Sequence, residues 1–218
     1  MDKDHPIEII KPNLLLVEGK DDVGFFEGLI KHLDLNDIQI INVGSTSKYG
    51  DRLKAIRNSP NFKKIVISIG IVRDADTNSN AAFQSISGYL KSAKLPVPEK
   101  PLKPSKSTPQ VTVMILPKEG ESGMLEDLCL SSVISDSAFP CMEAYFQCLQ
   151  EKGLSLPNKI SKANVQVFLA SRQKVGLSLG VAAKAKLWPF DDNAFDQVKT
   201  FLQMIKIPEH QLDATDRT

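Results

Sequence analysis

The chain has 218 residues, of which 42% are hydrophobic and 24% charged. That balance is ordinary for a soluble globular protein, and it excludes disorder, collagen and coiled coil as descriptions of the whole. Lysine and arginine number 27 against 26 aspartates and glutamates, a formal charge of +1, so this is no polybasic binder; a nucleic-acid contact needs a local basic patch or metal ions that offset carboxylates.

The first six residues are polar, with no apolar segment behind them, so no secretory leader is expected. Asn13 to Val17 is a continuous apolar run of strand length. Asp21 to Leu33 has helical periodicity, with Val23, Phe26, Ile30 and Leu33 on one side. Ile38 to Val43 reads as a second strand, and Lys48 to Asn58 as a helix stopped before Pro60. Lys64 to Val72 is a third strand, Asn78 to Lys94 a third helix, and Val111 to Leu116 a fourth strand ended by Pro117. Met124 to Val133 is again helical. Strands alternating with helices predict an α/β fold: a Rossmann-like, mainly parallel four-stranded sheet flanked by helices. Residues 95–110 carry five prolines with Lys100, Lys103 and Lys106, and read as an extended, solvated loop. A surface insertion is the plain reading of it, and a basic arm touching a phosphate backbone the sharper one.

Beyond Leu128 the strand signals stop. Ala138 to Lys152, Ser161 to Ser171, Leu177 to Lys186 and Asp191 to Ile205 all read as helices. The chain therefore divides into an α/β domain over 1–134 and a helical C-terminal extension over 135–218. Trp188-Pro189-Phe190 is expected to anchor the extension to the sheet domain, and Glu209 to Thr218 to form a frayed tail. Cys141 and Cys148 lie seven apart, hence on one helix face, and are expected to be buried. Three cysteines make no disulfide framework, which points to a reducing cytoplasm. No apolar run is long enough to span a membrane. The three histidines are scattered and no CxxC pair exists, which argues against zinc.

Two acidic motifs carry the chemistry. In Leu14-Leu15-Leu16-Val17-Glu18-Gly19-Lys20-Asp21-Asp22, Glu18 closes the first strand, and Asp22 falls four residues on, in the first helical turn. Gly19 lets the backbone turn sharply or approach a ligand closely. In Ile71-Val72-Arg73-Asp74-Ala75-Asp76, two aspartates stand two apart at the end of the third strand, and extended residues two apart point the same way. Both strand ends lie at the carboxyl edge of the sheet, where open α/β folds place their sites. Glu18, Asp22, Asp74 and Asp76 are thus expected to converge. Clustered carboxylates repel unless a cation sits among them, and an all-oxygen set suits Mg²⁺ or Mn²⁺. Such ions support phosphodiester transfer or cleavage, with Glu18 available as general base or acid. Read singly, the motifs reduce to helix capping by Asp21 or Asp22 and to turn residues before Thr77-Asn78.

The Glu-Gly-x-x-Asp motif after one strand and the Asp-x-Asp motif after another resemble the toprim family. That family includes the catalytic domains of type IA topoisomerases, bacterial primases and the overcoming-lysogenization-defect nucleases. The likeness runs over roughly residues 13 to 130 in element order. In detail the chain looks most like small standalone toprim-like proteins, through Gly123-Met124-Leu125-Glu126-Asp127-Leu128 and the stretch from Lys162 to Ser171. The resemblance implies a toprim fold and Mg²⁺-dependent (or Mn²⁺-dependent) chemistry on DNA or RNA. In the nuclease branch a further acidic residue and a lysine complete the site. Glu126 is the candidate for the former, as a fifth metal ligand, with a first-turn helix carboxylate as the plain alternative. Lys174 and Lys184 are the candidates for the lysine.

The chain is too short for the tyrosine-bearing arrangement of a topoisomerase or the rest of a primase. Gly44-Ser45-Thr46-Ser47-Lys48 has the wrong spacing for a Walker A loop. The overcoming-lysogenization-defect proteins carry an ATPase domain, so that resemblance implies a separate ATPase partner here. Lys162, Arg172, Lys174, Lys184 and Lys186 give the C-terminal part a basic bias. Aromatic residues are 6% of the chain, too few for a single-strand stacking platform. Three readings follow: a metal-dependent nuclease or phosphodiester-transfer enzyme, a non-catalytic metal- or nucleotide-binding module that works with a partner, and a structural protein whose carboxylates only cap and turn.

Overall fold

A computed structural model describes residues 7–44 and 48–205. The polar first six residues, Ser45 to Ser47 of the would-be phosphate loop and the expected tail from Glu209 lie outside the described residues. Strand β1 (Asn13–Val17) leads through helix α1 (Lys20–His32) to β2 (Ile38–Asn42). Two helices, α2 (Tyr49–Arg57) and the short α3 (Phe62–Ile65), precede β3 (Ser68–Asp74), and α4 (Ser79–Ser92) leads on to β4 (Gln110–Leu116). The sheet is wholly parallel, in the order β2-β1-β3-β4. It is a Rossmann-like α/β sheet flanked by helices, as the alternation of apolar runs and amphipathic segments predicts. Connections leave β1 and β3 in opposite directions, so the strand order reverses between these two neighbours. That is the point at which open α/β sheets form a crevice.

The period of two along the strands sorts the core into two faces. Leu15, Val17, Val72, Met114 and Leu116 belong to one buried cluster; Leu14, Leu16, Ile69, Ile71, Val111, Val113 and Ile115 belong to the other. The second face is closed by Leu53 and Ile56 of α2 and by Phe83, Ile86 and Leu90 of α4. The first is closed by α1 and by the C-terminal helices α5 (Leu125–Ser131), α6 (Phe139–Glu151), α7 (Ile160–Ala170), α8 (Leu179–Lys184) and α9 (Asp196–Ile205). The C-terminal helices therefore share their core with the sheet. Gly70 of β3 is where α9 reaches it: a Cβ there would fall 2.1 Å from Ile205 Cδ1 and 3.1 Å from Phe201. Trp188 is buried, stacks on Phe168 and donates its indole N–H to Leu179 O, while Phe190 meets Phe25 of α1 edge-on. The Trp188-Phe190 turn thus anchors the C-terminal helices to the sheet layer.

Helices α1 and α8 touch backbone to backbone. A Cβ on Gly24 would lie 2.7 Å from Gly180 Cα, and one on Gly28 would lie 2.9 Å from the Ala183 carbonyl. Asp21 fastens the end of this contact, accepting from Ser178 Oγ at 2.5 Å and from Gly180 N–H at 3.0 Å.

Several local expectations give way to tertiary structure. Lys64 and Ile65 sit in α3, and the third strand starts at Ser68, where pairing with Asn13 of β1 begins. The strand runs to Asp74 because β4 pairs with it that far. Residues 95–110 are not simply a solvated insertion. Leu102 N–H donates to Val113 O and Ser105 N–H to Val111 O, so this segment covers the open edge of β4, with Leu95 and Pro98 buried. Its lysines stay exposed, and Lys103 pairs with Glu99. Cys141 and Cys148 are exposed, contrary to expectation, because Met142 and Phe146 carry the buried face of α6; only Cys129 is buried. The helix expected over 191–205 is α9 preceded by a 3-10 turn at Asn193–Phe195, which Asp192 caps. Among the described residues no helix is long and apolar enough to cross a membrane.

Candidate carboxylate site at the switch point

The carboxyl edge of the sheet at β1 and β3 carries a group of acidic residues. Glu18 follows β1 directly, Asp22 occupies the first turn of α1, and Asp74 is the last residue of β3. Glu126 enters from the first turn of α5, buried at 9% exposure. The Asp74 carboxylate accepts the Leu125 N–H at 3.0 Å, which ties β3 to the start of α5 and brings Glu126 to the cluster. Asp76 lies beyond the strand. Its φ of 48° is left-handed, and its backbone forms an isolated antiparallel bridge with Gly123. The rule that residues two apart face one way fails here, because β3 ends at Asp74; Asp76 is exposed at the rim, near enough for its charge to act on Glu18.

Gly19 serves by its lack of a side chain. Its φ of −120° is open to any residue, but a Cβ would stand 2.7 Å from Asp22 Oδ2. Asp21 does not cap α1, whereas the Asp22 carboxylate turns back on the first turn and accepts backbone hydrogen bonds from Gly19 and from its own N–H. Asp21 is turned to α8, and Asp22 to the cluster. Gly123, with a φ of 130°, does need glycine, and a Cβ there would also meet Asp127 Oδ2. Asp127 accepts from Met124 N–H at 2.8 Å and from Ser161 Oγ at 2.5 Å. It is the strut that holds α7 against the start of α5.

Two cations already meet the cluster. Leu16 pairs with Ile71, so two steps on Arg73 lies beside Glu18, and Arg73 Nη1 donates to Glu18 Oε1 at 2.5 Å. From α7, Lys162 Nζ stands 3.1 Å from Glu126 Oε1. Neither residue is among those expected to complete the site. Lys184 pairs with Glu27 on the outer side of α1, and Lys174 lies on the exposed turn after α7. Finding Lys162 requires knowing that α7 docks on α5, although its run from Lys162 to Ser171 stands out in the sequence. Arg73 carries a plainer signal, a charge inside an otherwise apolar strand.

The electrostatics reflect the crowding. Burial, then the charges of Asp22, Glu126 and Glu18, push Asp74 up to about 7, against the opposing hydrogen bond from Leu125. Burial also raises Asp22, with Glu126 adding to it. Glu18 is raised by burial, in part offset by Arg73. Burial would lower Lys162, but its hydrogen bond to Glu126 and the charges of Glu126, Asp74 and Asp22 raise it overall. Beneath the cluster, burial and the charges of Glu126 and Asp22 hold the Cys129 thiol well above its usual range, so it is neutral and unreactive. The Tyr49 hydroxyl, buried and donating to Val72 O, is likewise pushed up by burial and by Glu18.

The donors are all carboxylate oxygens, the kind a hard divalent cation takes. Among the described residues, no three Asp, Glu, His or Cys side chains close around one point. Glu18 and Glu126 face Arg73 and Lys162 instead. The set fits such an ion by its chemistry, and gathering around one requires these side chains to turn from their present partners.

A family model described as Protein of unknown function (DUF3226) matches residues 12–206, a span that contains both acidic motifs, Glu126 and Lys162. No curated protein and no solved structure matches the chain.

Proposed function

The chain belongs to the family described as protein of unknown function (DUF3226), and from that premise we propose a toprim-type, Mg²⁺- or Mn²⁺-dependent nuclease or phosphodiester-transfer protein that acts on DNA or RNA in the cytoplasm. One observation carries the reading. Glu18, Asp22, Asp74 and Glu126 crowd the switch point of a parallel sheet, and burial, with their mutual repulsion adding to it, lifts Asp74 to about 7. A fold tolerates such a cluster at a cost, and a cation is what relieves it.

In this reading Glu18, Asp22, Asp74, Asp76 and Glu126 are the residues that would hold the metal. When bound, the ion supplies charge neutralisation at a phosphoryl oxygen and a more acidic water. The chain's own groups do the rest. Glu18, whose hold on a proton burial strengthens, is the group to take or return one. Lys162, a half-exposed ammonium beside the cluster, faces developing negative charge on the phosphate. Arg73 sets the rotamer of Glu18.

The second reading, a non-catalytic metal- or nucleotide-binding module working with a partner such as a separate ATPase, draws on the same ion pairs. Arg73 and Lys162 already neutralise two of the carboxylates, so the site can rest without a metal. Labelled single- and double-stranded DNA and RNA, incubated with Mn²⁺, separate the two. Cleavage that is lost in Glu18→Gln and Asp74→Asn supports the enzyme. Metal binding with no cleavage of any substrate supports the module.

A further inference from the structure

Beside the carboxylate cluster lies a cleft of about 490 Å³ between α7 and the segment leading into α8. Its volume lies in the range of about 300–1,000 Å³ usual for small-ligand sites. Glu126 and Lys162 belong both to the cluster and to the wall of the cleft. The remaining wall is chiefly aliphatic, from Val165, Leu169 and Leu177, with Gln166 as an exposed amide.

The charge pattern decides what can enter. Asp21 and Glu126 line the cleft against the single cation Lys162, so a phosphate is repelled from its interior. An uncharged group joined to a phosphate at the mouth is accepted. Asp21 Oδ1 already accepts from Ser178 and Gly180, and Gln166 is an exposed amide on the wall that can read a ligand's polar edge. An uncharged body with a hydrogen-bonding edge, one short linker away from a phosphate, fits a nucleobase.

Resting on the phosphodiester reading above, we infer that this cleft seats the base of the nucleotide whose phosphate meets Lys162 and the cation that the carboxylate cluster would hold. Among the described residues no aromatic ring lines it, so the base is gripped by aliphatic walls and the Gln166 amide. The ligand is recognised one nucleotide at a time, at the cluster, in place of a strand tracked along a stacking surface.

The test titrates the full chain, in Mn²⁺, with AMP and with ribose 5-phosphate, which keeps the sugar and phosphate but lacks the base. Wild type is expected to bind AMP at least about tenfold more tightly. Gln166→Ala and Ala170→Trp alter exposed positions on the cleft wall. Both are expected to remove that preference while leaving ribose 5-phosphate affinity and the melting temperature unchanged. Equal affinities in wild type, failure to bind AMP, or a preference that survives both substitutions overturns the inference. Because base preference is read without turnover, the two readings fail separately. A chain that prefers AMP yet cleaves nothing retracts the enzyme reading alone. A chain that hydrolyses methyl p-nitrophenyl phosphate but ignores the base retracts the cleft alone.

Discussion

Asp74→Asn is expected to stabilise the protein without metal, and to do so only above acidic pH. The carboxyl titrates at about 7 in the fold against an ordinary 3.8. At 1.36 kcal/mol per pH unit this gap bounds the cost of the ionised form at about 4 kcal/mol. Since Asp22, Glu18 and Glu126 titrate along with it, about half of that, ~2 kcal/mol, is the expected gain. The sign follows from a folded-state value above the unfolded one. The cost is absent below 3.8, grows as pH rises toward about 7, and is complete beyond it. Asparagine keeps an oxygen to accept the Leu125 N–H, so the tie to α5 survives. Thermal denaturation of wild type and variant at acidic, neutral and alkaline pH is the assay. A variant more stable at alkaline pH, by about 4–8 °C in Tm, and equal to wild type in acid fits the reasoning. A variant less stable at alkaline pH, or a gap that ignores pH, refutes it.

Three further outcomes are expected. Lys162→Met leaves the buried Glu126 carboxylate without its cation, so stability should fall by about 1–3 kcal/mol, whereas Mn²⁺-dependent cleavage should fall about a hundredfold; thermal melts check the first and single-turnover assays on the folded variant the second. Gly19→Ala puts a methyl group against Asp22 Oδ2 and should weaken Mn²⁺ binding about tenfold or more with little change in fold, measured by calorimetry and circular dichroism. A thiol reagent applied to the native protein should modify Cys141 and Cys148 quickly and Cys129 only on unfolding, as mass spectrometry of the labelled peptides would report.

The sheet and its helices were legible because their signals are local. Continuous apolar runs mark β1 and β4, and helical periodicity marks α1. The convergence of Glu18, Asp22 and Asp74 was legible too, since two parallel strands must end at one edge. What escaped depends on contacts distant in sequence. Lys162 reaches Glu126 because α7 shares its core with α5 and Asp127 holds Ser161 across 34 residues. Asp76 leaves the strand direction because Gly123 pairs with its backbone. The exposed side of α6 was settled by which face Met142 and Phe146 present to the core, and a seven-residue spacing of cysteines is silent on that.

The most direct test of the metal site is the melting temperature of wild type and of Asp74→Asn/Asp76→Asn across a Mn²⁺ titration at mildly alkaline pH, where Asp74 is ionised. An ion that binds only the folded state adds about 2.7 kcal/mol at a hundred times its dissociation constant, which is a rise of about 5–10 °C for a chain of this length. A rise of that size in wild type, absent in the double variant, is the predicted result. A wild type indifferent to millimolar Mn²⁺, or a double variant that responds as strongly, contradicts the claim that these carboxylates form a metal centre.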